Sequence, residues 1–183
     1  MPAKKQVTRD MILGAALKLL REHGDEAVNI KRLAKELGCS TQPVYLSFSG
    51  MEDLRHELIY LAVSEFESYM KHNSKNEKIN LYDIAYIHFA KDEPQLFHFL
   101  FMRSNAFDEM KQALLPIIGC SIEELERKYH IEYKEADILH DQLWMHAHGI
   151  ASMIATNFCD WDMEKAGRML DNCKRVFTEK YEV

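Results

Sequence analysis

The stretch between residues 29 and 48, NIKRLAKELGCSTQPVYLSF, constrains the fold of this chain more than any other. Asn29 can cap a first helix that ends at Gly38, because glycine readily adopts the left-handed conformation that closes a helix. Ser40 can cap a second helix, in whose first turn Pro43 is tolerated. Two short helices with few turn residues between them indicate a helix-turn-helix, although an ordinary helical hairpin would give the same pattern.

The neighbouring segments make this motif more specific. Thr8 can cap an apolar helix, ILGAALKLLREHG, that precedes the motif and ends near Gly24, and YLSF followed by MEDL comes at its end. This ordered set resembles the DNA-binding domain of the TetR family of bacterial transcriptional regulators over roughly residues 8–58. The resemblance implies an N-terminal head of three helices, a long fourth helix, and a helical second domain that binds an effector and forms dimers.

The scarcity of turn-forming residues supports an all-α fold. The chain has seven glycines and four prolines in 183 residues, and no alternating strand-like run stands out. We expect about nine helices, with a helix-turn-helix domain in residues 1–50 and an effector-binding and dimerisation domain in residues 51–183. Ser49 should cap the fourth helix, which joins the two domains. Pro116 should interrupt a helix, because it lacks the backbone N–H that a regular helix needs.

The charge is distributed unevenly along the chain. The net charge of −6 argues at first against a nucleic-acid partner, since phosphate contacts need lysine and arginine. Residues 1–50 nevertheless carry eight basic and five acidic residues, a charge of +3, and the remainder carries −9. A small basic domain attached to an acidic body is typical of a DNA-binding regulator.

The TetR resemblance implies that the second helix of the motif enters the major groove of a double-stranded DNA operator. Thr41, Gln42 and Tyr45 are candidate base contacts, because a glutamine amide can make a bidentate pair with adenine and the other two can reach a thymine methyl, sugar or phosphate. Family members usually carry a lysine where this chain has Met51, so one phosphate contact should be missing. The candidate phosphate contacts are Lys4, Lys5, Thr8, Lys31, Arg32 and Ser40.

A second resemblance lies in the body. The segment LWMHAHGIA at residues 143–151 resembles the Trp…His-Gly motif of one class of TetR C-terminal domains, and YIHFAKDEPQLF at residues 86–97 fits the same class. It implies a small-molecule effector without identifying it. Histidines flanked by aromatic residues can supply the polar points of an apolar pocket, but histidines in an ordinary core fit the pattern equally. The candidate pocket residues are His88, Phe89, Phe97, His98, Phe101, Trp144 and His148.

Two long amphipathic helices close the chain, the first from Tyr133 to about Asn157 and the second capped by Asp160 or Asp162. Their apolar faces are wider than one neighbour would cover, so we expect a homodimer in which they pair with their copies as a four-helix bundle. Burial within one subunit is the alternative. The candidate interface residues are Leu139, Leu143, Ala147, Ile150, Ile154, Met163, Ala166, Leu170 and Phe177.

Other functional classes find little support in the sequence. No apolar run has membrane-spanning length and no signal peptide is evident, so we expect a cytoplasmic protein without a membrane partner. The four cysteines are scattered and include no C-x-x-C pair. The spacing of Asp137, His140 and Asp141 is explained equally by an exposed polar face, so we expect no metal and no cofactor. Phosphate-binding loops and hydrolase motifs are absent, and we expect no enzyme.

These observations favour a ligand-responsive transcriptional repressor that binds a pseudo-palindromic operator as a homodimer and is released by a small-molecule effector. The alternative is a helical small-molecule-binding protein or enzyme whose head is vestigial. Met51 and the acidic net charge motivate that alternative.

Overall fold

The structure, a computed structural model, describes residues 7–74, 79–104 and 106–181. Within these ranges it contains nine α-helices and no strand, which confirms the all-α prediction. None of these helices is long and apolar enough to cross a membrane. The helices are α1 (Arg9–His23), α2 (Ile30–Leu37), α3 (Gln42–Ser47), α4 (Met51–Asn73), α5 (Ile84–Asp92), α6 (Pro94–Phe101), α7 (Phe107–Tyr129), α8 (Tyr133–Ala155) and α9 (Met163–Thr178).

The helix boundaries in the head follow local capping chemistry. The Thr8 hydroxyl accepts a hydrogen bond from the Met11 N–H at 3.2 Å, and the Asn29 side chain accepts one from the Arg32 N–H at 3.1 Å. Gly38 closes α2 in the left-handed conformation, with φ 63° and ψ 34°. These three predictions are confirmed, and together they set the short connection between α2 and α3.

Two predicted caps are wrong. Ser40 does not cap α3, because the helix begins at Gln42 and Thr41 occupies the cap position with a backbone that is already helical. Ser49 does not cap α4, whose cap position is Gly50. The Ser49 N–H and hydroxyl both bond to Asp53 Oδ2, at 2.9 and 3.2 Å. The carboxylate is the stronger acceptor, so the serine donates to the helix instead of accepting from it.

The predicted interruption at Pro116 is also wrong, since α7 runs through it without a break. Pro116 is exposed, so the carbonyl that loses its helical partner one turn earlier can bond to water. Met110, Leu114 and Ile117 lie on the opposite side and are buried. Burial of this stripe on both sides of the proline holds the helix together.

The body is arranged around α8, which packs against α5, α7 and α9. The last helix, α9, is capped by Asp162, one of the two caps predicted for it. The Asp162 carboxylate accepts a hydrogen bond from the Lys165 N–H at 2.7 Å. Helix α4 carries buried residues from Leu54 to Met70, so one continuous apolar core joins the head to the body. Helix α6 packs against α1 of the head, and His98 on this helix is exposed.

Candidate DNA-binding surface and effector cavity

Helix α3 presents its predicted base-contacting residues to solvent. Thr41, Gln42 and Tyr45 are exposed, whereas Val44 and Phe48 are buried against α1 and α2. The face toward the core therefore fixes the helix, and the opposite face is available to a partner. Leu46, which is 80% exposed, extends this face and was missed from the sequence, because a lone leucine in a short helix is normally assigned to the core.

Arg9 of α1 contacts the end of α3 and fixes its position. Its Nε donates to both carboxylate oxygens of Glu57 on α4, its guanidinium bonds to the Ser47 carbonyl at the end of α3, and its Cζ lies 4.0 Å from the centroid of the Phe48 ring. The hydrogen bond from Arg9 lowers the pKa of Glu57 below its ordinary value. One side chain thus joins α1, α3 and α4. No local sequence pattern could reveal it, since 48 residues separate the two partners.

The predicted phosphate contacts are accessible wherever the structure describes them. Thr8, Lys31, Arg32 and Ser40 are all exposed. Lys4 and Lys5 lie outside the described residues. Met51, the first residue of α4, is half-buried and packs against the core, so it offers no cation to a phosphate.

A cavity of about 300 Å³ lies in the body among α6, α7 and α8. Two of the predicted pocket residues, Phe101 and Trp144, line this cavity. The rest of the lining is largely apolar and includes several polar side chains. The apolar lining is Leu81, Leu100, Phe101, Ala106, Met110, Leu114, Ile118 and Trp144, and the polar lining is Arg103, Lys111, Asp137, His140 and Asp141.

The other predicted pocket residues lie elsewhere. Phe89 and Phe97 are 1% and 0% exposed and belong to the aromatic core around Phe66 and Tyr86. His88 is half-buried and His98 is exposed, and neither lines the cavity, because α5 and α6 turn these positions away from it. The sequence pattern placed all of them near aromatic residues without showing which side of each helix faces the cavity.

His148 is a core histidine with a hydrogen-bond partner. Its Nδ1 lies 2.9 Å from the Tyr86 hydroxyl, and its ring stacks on Phe97 with centroids 5.6 Å apart. Burial lowers the pKa of His148, which favours the neutral ring, so Nδ1 can accept a hydrogen bond from Tyr86. His148 is not among the residues that line the cavity, and its contacts with Tyr86 and Phe97 fit the core alternative.

His140 and Arg103 are polar residues of the cavity lining that the sequence did not assign to the pocket. His140 is 1% exposed, so it does not belong to an exposed polar face, and its Nδ1 has no hydrogen-bond partner among the described residues. Burial lowers the pKa of His140, although Asp137 and Asp141 act in the opposite direction. Arg103 lies in the segment between α6 and α7, a position that helical periodicity does not describe.

Most of the predicted dimer-interface residues pack against the core of their own subunit. Leu139, Leu143, Ala147, Ile150, Ile154, Ala166 and Leu170 are buried within the subunit, and Met163 and Phe177 are partly buried against its core. Periodicity identifies an apolar face but does not say whether it packs within a subunit or between two. The opposite side of α8 exposes Ile138, Met145 and Met153, and Val176 is exposed on α9.

Comparisons with known proteins agree with this arrangement. Residues 12–58 match the family model described as bacterial regulatory proteins, tetR family. A transcriptional regulator from Rhodococcus sp. Rha1 shares the fold with a TM-score of 0.69 and 14% identity, over 97% of this chain and 99% of that one. A single-residue variant of TetR from Acinetobacter baumannii AYE, in complex with minocycline, has a TM-score of 0.55 at 14% identity, with the same coverage. No curated protein sequence gives a significant match.

The fold and the exposed α3 define a helix-turn-helix DNA-binding protein of the transcriptional regulator class. Residues 12–58 match the DNA-binding domain of the tetR family of bacterial regulatory proteins.

Proposed function

We propose that the protein is a ligand-responsive transcriptional repressor, not an enzyme, which binds a pseudo-palindromic DNA operator as a homodimer. Residues 1–50 form its DNA-binding domain and residues 51–183 its effector-binding and dimerisation domain. The observation that carries this proposal is the exposure of Thr41, Gln42 and Tyr45 on α3, within the segment that matches the tetR family model.

DNA recognition divides between α3 and its surroundings. Gln42 can make a bidentate contact with adenine, and Thr41 and Tyr45 can contact a thymine methyl, sugar or phosphate. Lys31 and Arg32 on α2 form no ion pair within the described ranges, so their charges remain available to phosphates. Two copies of α3, about 34–36 Å apart, would read half-sites separated by one helical turn.

The homodimer would form through the exposed side of α8 and α9. Ile138, Met145 and Met153 lie on one stripe of α8, and Gly149 lies between the two methionines. A Cβ added to Gly149 would meet no described atom within 4 Å, so a second subunit could approach the helix closely there. The exposed Val176 of α9 extends the apolar surface. Packing of this surface against its copy gives a four-helix bundle with twofold symmetry.

Helix α6 links the cavity to the head and would transmit the effector signal. Leu100 and Phe101 line the cavity at one end of the helix. At the other end, Glu93 accepts from Arg21 Nε of α1 at 3.2 Å, and Gln95 packs against Gly24. Arg21 also donates to Glu65 of α4 at 2.8 Å. A ligand that displaced α6 would therefore move α1 and α4, and change the spacing of the two recognition helices.

The test is selection of genomic DNA fragments by the intact protein, followed by equilibrium binding across a range of salt concentrations. We expect sequence-selective and salt-sensitive binding, and a Gln42→Ala variant should lose about tenfold or more in affinity for the selected site, as expected for a bidentate base contact. Gln112→Ala, which removes an exposed glutamine from α7, is the matched control. Absence of selective binding would favour the alternative of a vestigial head on a small-molecule-binding protein.

A promoter reporter carrying the selected site would test repression. The proposal expects lower transcription with the protein present and recovery when a cavity ligand is added. Higher transcription with the protein bound would instead identify an activator.

A further inference from the structure

The cavity in the body has one wall suited to an apolar group. Trp144 of α8 and Phe101 of α6 face it together with aliphatic side chains of α7, Met110 and Leu114 among them. Its volume of about 300 Å³ is at the lower end of the range for small-molecule sites. A ligand that fills this space must therefore be small and mostly hydrophobic.

Arg103 supplies a fixed cationic group at the edge of the same cavity. Its Nε donates to the Phe99 carbonyl at 2.8 Å, and its Cζ lies 4.3 Å from the centroid of the Phe99 ring. These contacts hold the guanidinium in one orientation, and the side chain is 17% exposed. Nη2 is buried and forms an ion pair with Glu109 at 3.6 Å, but it makes no hydrogen bond to any described residue. A buried guanidinium nitrogen without a hydrogen-bond acceptor is costly, and a ligand oxygen would remove that cost.

The acidic residues of the lining do not need a hydrogen-bonding group from the ligand. Asp141 is exposed and Asp137 half-buried, so water can solvate their carboxylates. Lys111 adds a second cation to the lining beside Arg103. The buried Nδ1 of His140 provides one further polar point. The buried polar atoms that lack a hydrogen bond therefore favour a ligand acceptor at Arg103, whereas water can solvate the two carboxylates.

We propose that the cavity binds a small amphipathic carboxylate, with its carboxylate on Arg103, its apolar body against Trp144 and Phe101, and any second polar group near His140. A planar guanidinium matches a carboxylate in geometry as well as charge, which a lysine does not. This inference rests on the proposed function, because it names the chemical class of the effector that the regulator would sense.

Two probes of the same shape test the inference. Calorimetric titration of the intact protein with 4-phenylbutyrate and with its amide, 4-phenylbutyramide, compares ligands that differ in the charge of one group. We expect the acid to bind at least about tenfold more tightly than the amide, as a charge-assisted hydrogen bond requires. Equal affinity for the two probes, or no binding of either, would overturn the inference.

Variants then assign the preference to Arg103. Arg103→Met should reduce the affinity for the acid to that for the amide and leave the amide unchanged, while Arg103→Lys should keep part of the preference. Arg127→Met, which removes an exposed arginine of α7 outside the cavity lining, is the matched control. Equal weakening of both probes by Arg103→Met would contradict the proposed contact. If Arg103→Met does not fold, the wild-type comparison and Arg103→Lys still decide.

Intrinsic fluorescence locates the bound probe. The chain has two tryptophans, and a Trp161→Phe variant leaves Trp144 as the only one. Addition of the acid to this variant should change its emission, and binding without any change would place the ligand elsewhere and overturn the inference.

These measurements use no DNA, so they separate the two proposals. Loss of selective DNA binding with an intact acid preference would refute the repressor and not the ligand class, and the reverse result would refute only the ligand class.

Discussion

The Nε of Arg9 lies 3.1 and 3.0 Å from the two carboxylate oxygens of Glu57, and this contact joins the first turn of α1 to α4. Because the same guanidinium bonds to the Ser47 carbonyl, the end of the recognition helix depends on it. Arg9 is therefore a positioning residue for α3. It differs in role from Lys31 and Arg32, whose exposed side chains are candidates for DNA phosphates.

The Arg9–Glu57 contact predicts a specific dependence of stability on pH. Its hydrogen bond lowers the pKa of Glu57 in the folded protein. The stabilisation is therefore complete above the ordinary glutamate pKa of about 4.3 and is lost as the pH falls through the lowered folded value. Glu57→Gln should lower stability at neutral pH and make the decline below about pH 4 less steep.

Urea unfolding followed by circular dichroism at several pH values measures this difference. Glu123→Gln, a change at an exposed position of α7, should leave the pH profile of the wild type unaltered. Parallel profiles for the wild type and Glu57→Gln would show that the contact does not stabilise the folded state.

The exposed cations of α2 should govern the salt dependence of DNA binding. Each phosphate contact contributes about 0.9 to the slope of log K against log salt. Replacement of Lys31 and Arg32 together by glutamine should therefore reduce the magnitude of that slope by about 1.8, with little change in sequence preference. Fluorescence anisotropy with a labelled operator measures it. Lys18→Gln is the control, because Lys18 already pairs with Glu36, and a slope change of equal size there would contradict the assignment.

The proposed dimer surface can be tested at a glycine. A Cβ added to Gly149 meets no described atom within 4 Å in one subunit, whereas the long side chain of Gly149→Arg would obstruct a second subunit on α8. Gly119→Arg is matched to it, because this glycine of α7 also has no described atom within 4 Å of an added Cβ. Both changes should stabilise the helix by up to about 1 kcal/mol. Sedimentation velocity should show monomers for Gly149→Arg only, and dimers in both would place the interface elsewhere.

Predictions from local chemistry agreed best with the structure. The caps at Thr8, Asn29 and Asp162 and the left-handed Gly38 depend on residues within a few positions, so the sequence contains the information directly. Pro116 was misjudged because a buried stripe on the far side of α7 outweighs one lost hydrogen bond. A local rule for proline does not include that tertiary contribution.

Prediction of the cavity lining and of the exposed subunit surface needed information that helical periodicity does not contain. Leu143 and Ala147 were recognised as apolar, but their burial against neighbouring helices in the same subunit follows from the arrangement of the whole body. That His140 and Arg103 line one cavity follows only from the way α6, α7 and α8 surround a common space. Thr41, Gln42 and Tyr45 were easier to select because the resemblance to a known domain already assigned α3 its outward face.

Gly24 provides a test of how firmly α1 is held against α6. Its φ of 81° and ψ of 176° are accessible to glycine at little cost, and a Cβ added there would lie 2.7 Å from Gln95 Oε1. Gly24→Ala should therefore destabilise the protein by about 1–3 kcal/mol. Gly14→Ala, within α1 and with no described atom near its added Cβ, should stabilise it by about 0.5–1 kcal/mol. Urea unfolding of both variants measures the two effects under the same conditions.

Gln95→Ala in the Gly24→Ala background then separates the two costs, because it removes the steric contact and leaves the backbone strain. We expect the double variant to recover part of the stability that Gly24→Ala loses. Full recovery would show that the backbone conformation costs nothing and that only the contact with Gln95 requires glycine at this position.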